Sequence, residues 1–148
     1  LEDKIKNIMD TTEKKTHILI ADDDPTTRKL FGALLARAGF EVWYAKDGAE
    51  AREMARRLQP DLILLDLNMP VMDGWQTAER LKNEPHSVTV NIPIVFLTNE
   101  DLSIEGQKLV KEYGVLDYIQ KGVGNEEFIL RVKKVLETIR KAEIPGKS

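Results

Sequence analysis

The sequence contains no cysteine and only two histidines, His17 and His86, among its 148 residues. Disulfides, thiolate metal sites and cysteine nucleophiles are thereby excluded, as is a multi-histidine metal centre within the chain. No apolar run approaches the ~20 residues that a membrane-spanning helix needs. Residues 1–10 mix charged with apolar side chains and lack the continuous hydrophobic stretch of a signal peptide, so a cytoplasmic location is the expectation. Basic residues are not in excess either. The 22 Lys and Arg face 25 Asp and Glu, a net charge of −3, which argues against direct contact with nucleic acid. What remains is the composition of a soluble globular protein, 42% hydrophobic and 32% charged, at a length that suits one domain with its own core.

Residues 1–16 read as an N-terminal appendage, because Leu1, Ile5, Ile8 and Met9 fall at helical spacing ahead of the polar linker Thr11-Thr12-Glu13-Lys14-Lys15-Thr16. From residue 17 to 141 short aliphatic runs alternate with longer segments of helical spacing, and residues 142–148 form a tail. The runs are Ile18-Leu19-Ile20, Val42-Trp43-Tyr44, Leu62-Ile63-Leu64-Leu65, Ile94-Val95-Phe96-Leu97 and Tyr118-Ile119. Being continuously apolar, they predict strands buried on both faces, the habit of a parallel sheet between helices. Helical stripes fall at Leu30, Phe31, Leu34, Leu35 and Ala38, at Ala51, Met54, Ala55 and Leu58, and at Phe128, Ile129, Val132, Val135, Leu136 and Ile139. Asp24-Pro25 opens the first helix as cap and first-turn proline, Asp47 with Glu50 resembles a capping box, and Gly39 and Gly114 stand where helices end. A third helix over about residues 74–84 has the faintest stripe, and 85–91 read as a surface loop. Five such units make an α/β domain.

In open parallel α/β sheets ligands bind beyond the carboxyl ends of the strands. Here those positions are polar: Asp22, Asp23 and Asp24 after the first strand, Asp66 and Asn68 after the third, Thr98 after the fourth, Lys121 after the fifth. Carboxylates brought together repel and raise one another's pKa unless a cation neutralises them. A hard dication such as Mg²⁺, bound by Asp23 and Asp66, needs no nitrogen or sulfur ligand. Such a site also receives an anionic phosphoryl group, with Lys121 adding positive charge and Thr98 a hydroxyl, and the Asp66 carboxylate as nucleophile forming an acyl phosphate. Taken singly, each residue has a plainer explanation. Asp24 is a helix cap, Asp22 and Asp23 are turn residues as readily as ligands, Asn68-Met69-Pro70 is a turn, Thr98 is a cap, Lys121 is a solvated lysine and Tyr118 is core. A set of independent caps and turns has no reason to fall at the same end of successive strands.

Ile18-Leu19-Ile20-Ala21-Asp22-Asp23-Asp24-Pro25 and Asp66-Leu67-Asn68-Met69-Pro70-Val71-Met72-Asp73-Gly74 resemble the response-regulator receiver family of two-component signalling. The likeness extends through Thr98 to Lys121, with Tyr118 three residues before the lysine, and covers residues 17–141. It implies a flavodoxin-like (βα)5 three-layer sandwich whose five parallel strands run in the order 2-1-3-4-5. Carried over position by position, it makes Asp66 the phosphoacceptor and Asp23 a direct Mg²⁺ ligand. Asp22 would assist mainly through water, and Asn68 would give its main-chain carbonyl. Thr98 and Lys121 would contact the phosphoryl oxygens, and Thr98 and Tyr118 would move as the switch. The implied partners are a sensor histidine kinase or phosphotransfer protein upstream and a downstream protein or fused output domain. The latter is reached through the fourth helix, fifth strand and fifth helix, about residues 101–141, a face that also leaves room for homodimerisation. Direct binding to a membrane or to nucleic acid is not expected from the charge balance and the lack of a long apolar run. The role implied is a signalling phosphoacceptor that promotes its own phosphorylation and dephosphorylation, not a separate enzyme.

Two positions depart from the family pattern. Asn99 follows Thr98 where a small residue is usual, and Gly122 follows Lys121 where a proline is usual. The first narrows access to the acyl phosphate and the second loosens the lysine's loop. Three other readings fit these residues less well. A flavin module wants a Gly-, Ser- or Thr-rich phosphate loop where this chain has three aspartates. An aspartyl-phosphate phosphatase wants a second acid two residues after its nucleophile, and Asn68 stands there. A receiver-like binding module that works without phosphorylation has no need of the full set of reacting groups.

Overall fold

The computed structural model of the chain describes residues 15–83 and 88–143. The expected N-terminal helix, most of its linker, the first part of the 85–91 loop with His86, and residues 144–148 lie outside the described residues. Five strands alternate with five helices: β1 (His17–Ala21), α1 (Pro25–Arg37), β2 (Glu41–Ala45), α2 (Gly48–Leu58), β3 (Leu62–Asp66), α3 (Gly74–Asn83), β4 (Ile94–Thr98), α4 (Ile104–Glu112), β5 (Asp117–Gln120) and α5 (Asn125–Glu143). All strands are parallel, and the sheet order is β2-β1-β3-β4-β5. This is the flavodoxin-like arrangement expected from the motifs.

The alternation of strand side chains splits the core in two. Ile18, Ile20, Leu62, Leu64, Val95 and Leu97 face α1 and α5, where they meet Phe31, Leu35, Phe128 and Val132. Leu19, Ile63, Leu65, Ile94 and Phe96 face the other layer, with Ala51 and Ala55 of α2, Ala78 and Leu81 of α3 and Val110 of α4. Burying each large aliphatic side chain contributes about 1.5–3 kcal/mol, so the continuous apolar runs, more than local propensity, drive the sheet into the middle.

The helix signals act as expected at several ends. Asp24 caps α1, accepting from the Thr27 amide and hydroxyl. Asp47 accepts from the Glu50 amide at 2.7 Å while Glu50 accepts from Lys46 N at 3.2 Å, so the glutamate's return bond reaches one residue before the cap. Gly39 and Gly114 adopt positive φ just beyond the ends of α1 and α4.

Three expectations are corrected. β2 and β5 are edge strands, with only Ala45 and only Ile119 buried, because the outer side of each has no further strand to pack on. Leu30 does not join the buried stripe of α1: it is 53% exposed, while Phe31, Gly32 and Leu35 turn inward. The Tyr44 ring occupies the space above Gly32, where a Cβ would lie 2.4 Å from a ring carbon. The described end of the 85–91 loop is not wholly superficial. Thr89 is buried with its hydroxyl donating to Leu81 O at 2.9 Å, and Lys82 Nζ donates to Val90 O and Ile92 O. Burial holds the Lys82 ammonium below its usual pKa.

Two non-glycine residues among those described adopt positive φ, Gln59 as the C-cap of α2 and Val71. Val71, between β3 and α3, has φ 69° while its side chain is 91% exposed. A β-branched residue in the left-handed region costs about 1–2 kcal/mol, and no burial of the side chain offsets it. Val71→Asn, which tolerates this conformation, is expected to raise stability to urea by about 1 kcal/mol. Val71→Ile, equally branched, should give no gain, and equal midpoints for all three proteins would show that the loop relaxes at no cost.

Candidate functional site

The register of the sheet decides which polar residues meet. β1 ends at Ala21, paired with Ala45 and Leu65, and the next residue, Asp22, continues the ladder through its amide to Ala45 O at 3.1 Å. β3 ends on Asp66 itself, opposite Leu97 of β4. β4 ends on Thr98, whose carbonyl accepts from the Lys121 amide at 2.7 Å, so the lysine is held by main chain one residue past the end of β5. Four strands therefore deliver Asp22, Asp66, Thr98 and Lys121 to one edge of the sheet.

Behind Asp66 the chain turns back sharply. The Gly74 amide donates to Leu67 O at 2.9 Å, and a Cβ at position 74 would lie 2.4 Å from Asp66 O. Only glycine permits that approach, which seats the start of α3 directly against the carboxylate's backbone.

Asp22 and Thr98 are fully buried and Asp66 is 4% exposed, whereas Asp23 is exposed. Lys121 Nζ lies 2.8 Å from Asp22 Oδ2 and 3.4 Å from Asp66 Oδ1. One ammonium thus serves two carboxylates. Asp22 Oδ1 is occupied by the Asp24 amide at 2.9 Å. Asp22 Oδ2 faces the ammonium without the alignment of a hydrogen bond, and no other described group bonds to it. The Asp66 carboxyl is pushed up to about 6, first by burial and then by the Asp22 charge, with Lys121 and the Asn68 amide pulling the other way.

Asp22, Asp23 and Asp66 each bring a carboxylate oxygen within 4.8 Å of the others. An all-oxygen donor set with a surplus of negative charge, an incompletely satisfied buried oxygen and one solvent-facing ligand fits a hard dication such as Mg²⁺. Nitrogen- and sulfur-preferring metals find no ligand in that trio.

The remaining expected residues stand at different distances from this centre. Thr98 is tied to the lysine through its carbonyl, and its hydroxyl oxygen accepts from the Glu100 amide at 3.0 Å. Asn68 is exposed, with its amide 3.3 Å from Asp66 Oδ1. Tyr118 is half-buried and packs on the core shared by α2, α3 and α4, not on the acidic cluster. Asn99 and Gly122 are both exposed. Asp24 proves to be a cap, its carboxyl held below the ordinary range by the Thr27 hydroxyl. A residue absent from the sequence reading is Arg28, whose Nη1 donates to Asp22 O at 2.6 Å. On a helical wheel it is one more polar position of α1, and nothing local in the sequence aims it at the site.

Comparison with known proteins meets this geometry directly, since residues 18–133 match the family model for the response regulator receiver domain. The chain belongs to the response-regulator receiver family. This receiver is 38% identical over 119 residues to the DNA-binding dual master transcriptional regulator RpaA of Synechocystis, covering 80% of this chain and 48% of that protein. It is 32% identical over 119 residues to the protein PilH of Pseudomonas aeruginosa, covering 80% and 96%. The chain thus spans about half the length of RpaA and nearly all of PilH. Among solved structures, the receiver matches the Vibrio cholerae chemotaxis protein CheY4 with a TM-score of 0.73 at 30% identity, over 82% of this chain and 99% of that one. It matches the BeF3-activated N-terminal receiver domain of Klebsiella pneumoniae RstA with a TM-score of 0.72 at 31% identity, over 82% and 98%.

The raised Asp66 carboxyl ties stability to pH. Its ordinary value is 3.8 and its folded value about 6, so the folded state keeps the proton to higher pH than the unfolded chain does. The resulting stabilisation is complete below 3.8 and is lost as pH rises through 6, which leaves an ionised Asp66 opposing folding at neutral pH. Without divalent cation, Asp66→Asn is expected to be more stable than the parent at pH 7.5 by about 1–3 kcal/mol. The advantage should shrink steadily towards pH 4. A variant less stable at pH 7.5, or an advantage independent of pH, would contradict the assignment of the raised pKa to this carboxyl.

Proposed function

We propose that this receiver takes a phosphoryl group on Asp66 in a Mg²⁺-dependent reaction and passes the change to its α4–β5–α5 face. The observation that carries the reading is the Lys121 ammonium placed between two buried carboxylates at the convergence of four strand ends. A bare phosphoryl acceptor needs a carboxylate, an adjacent positive charge and a hydroxyl donor, and Asp66, Lys121 and Thr98 provide them at one edge.

In the step proposed, an Asp66 carboxylate oxygen attacks phosphorus. The bond from phosphorus to the donor's nitrogen or oxygen breaks, and the leaving group keeps the electron pair. A sensor histidine kinase, a phosphotransfer protein or a small acyl phosphate supplies the group. Asp22, Asp23, Asp66 and the Asn68 carbonyl would hold Mg²⁺, which supplies charge neutralisation for the incoming phosphoryl oxygens. Lys121 then exchanges carboxylate contacts for the phosphoryl oxygens, and the Thr98 hydroxyl turns to donate to one of them. Receiver chemistry of this kind makes the protein a signalling phosphoacceptor that assists its own phosphorylation and dephosphorylation. Asn99 and Gly122, beside Thr98 and Lys121, set the lifetime of the product.

The output reading rests on the surface. Ile104, Leu109, Leu116 and Leu130 are exposed on α4, before β5 and on α5, and Arg131 of α5 is paired with Asp117 of β5 at 2.9 Å. A movement of Thr98 felt by Tyr118, which lies on β5 beside Phe96, changes this face. A downstream protein, a fused output domain or a second copy would read it. Among the described residues no helix is long and apolar enough to cross a membrane.

Incubation with acetyl phosphate and MgCl₂, followed by intact mass measurement, tests the proposal. One phosphate-sized addition is expected, abolished by Asp66→Ala and by EDTA and reduced at least tenfold by Lys121→Ala. An unmodified chain would point instead to a receiver that binds partners without phosphorylation, and an addition that survives Asp66→Ala would move the acceptor to another residue.

A further inference from the structure

Arg28 stands where a helix disfavours it. It is the fourth residue of α1, a helix with no acidic residue in its first turn, and the positive end of the helix dipole opposes a cation there. Its side chain is half-buried and spends its guanidinium on a main-chain carbonyl, Asp22 O, at 2.6 Å.

That carbonyl lies past the last paired residue of β1, so the sheet ladder offers it no partner. Left without Arg28, it would be an unsatisfied acceptor at a buried residue. The other polar atoms of Asp22 face groups of their own: the amide donates to Ala45 O, Oδ1 accepts from the Asp24 amide, and Oδ2 faces the Lys121 ammonium at 2.8 Å without an aligned hydrogen bond. The carbonyl of residue 22 also belongs to the peptide unit that leads into Asp23. Fixing its direction fixes the plane of that peptide and hence where the Asp23 carboxylate is presented.

We propose that Arg28 is a positioning residue for the divalent-cation site: by anchoring the Asp22 carbonyl from the neighbouring helix it holds Asp23 in ligating orientation beside Asp22 and Asp66. This rests on the reading of the acidic cluster as a Mg²⁺ site. It adds to that reading a specific residue which touches neither the cation nor the phosphoryl group. Outer partners that orient metal ligands commonly change metal affinity by about 10–100-fold when removed.

The sign of the effect makes the inference decisive. As a bare charge, Arg28 repels a dication bound to the loop it contacts, so neutralising it should tighten Mg²⁺ binding. As an anchor, it should weaken binding when lost. Calorimetric titration of the metal-free protein with MgCl₂ is therefore run on the parent, Arg28→Met and Arg28→Lys, with thermal melts alongside. The expected result is a Kd weakened about tenfold in Arg28→Met, with Arg28→Lys intermediate because it keeps the charge and one donor. In acetyl phosphate assays, the half-saturating Mg²⁺ concentration should rise by the same factor while the rate at saturating Mg²⁺ stays within about twofold. Tighter or unchanged Mg²⁺ binding in Arg28→Met overturns the inference. If Arg28→Met does not fold, Arg28→Lys decides, since its charge is intact and binding equal to the parent would refute an anchoring role. Failure of the parent itself to bind Mg²⁺ would instead remove the phosphoacceptor reading.

Discussion

Two carboxylates buried at one sheet edge and sharing a single ammonium set the terms for the rest of this molecule. Asp22 and Asp66 come from different strands, separated by more than forty positions in the sequence, and Lys121 comes from a third. Neither acid would tolerate burial beside the other without that cation, and even with it the Asp66 carboxyl stays raised to about 6. The arrangement is therefore poised with negative charge in excess of the one ammonium that contacts it. A hard dication completes the neutralisation, and a phosphoryl group adds charge that Lys121 and the cation can share.

The surrounding fold keeps this unfavourable cluster in place. Behind it stand the two halves of the apolar core, with β3 and β4 buried along their whole length. Around it the main chain is tied at each strand end: Asp22 to Ala45, Lys121 to Thr98 and Gly74 to Leu67. Arg28 adds a tie from α1. The free energy released by burying the aliphatic strands offsets the electrostatic cost of the edge, which is how a stable domain carries a reactive one.

The sequence was most legible where one physical signal dominated. Runs such as Leu62-Ile63-Leu64-Leu65 have a single stable destination, the centre of a parallel sheet, and Asp24-Pro25 a single inexpensive conformation, the first turn of a helix. Legibility failed where neighbours decide. Val42-Trp43-Tyr44 looks as buried as the other runs, yet strand order leaves it on an edge. Leu30 shares the stripe of Phe31 and Leu35 but turns outward, while Gly32 takes the inner position under the Tyr44 ring. Thr89 and Lys82 read as surface residues until the chain around them supplies carbonyls to bond.

By itself the sequence determined the strand and helix alternation, the places where helices begin, and the chemical types gathered after the strands: acids, a hydroxyl and one lysine. These follow from periodicity, capping and residue chemistry, all of which are local. Only the tertiary structure decided that Lys121 pairs with Asp22 as well as Asp66, that Asp66 holds its proton to about pH 6 and that Arg28 reaches the Asp22 carbonyl. Distances and burial between residues far apart in the chain exist only once sheet order and register are set, and no local pattern encodes them.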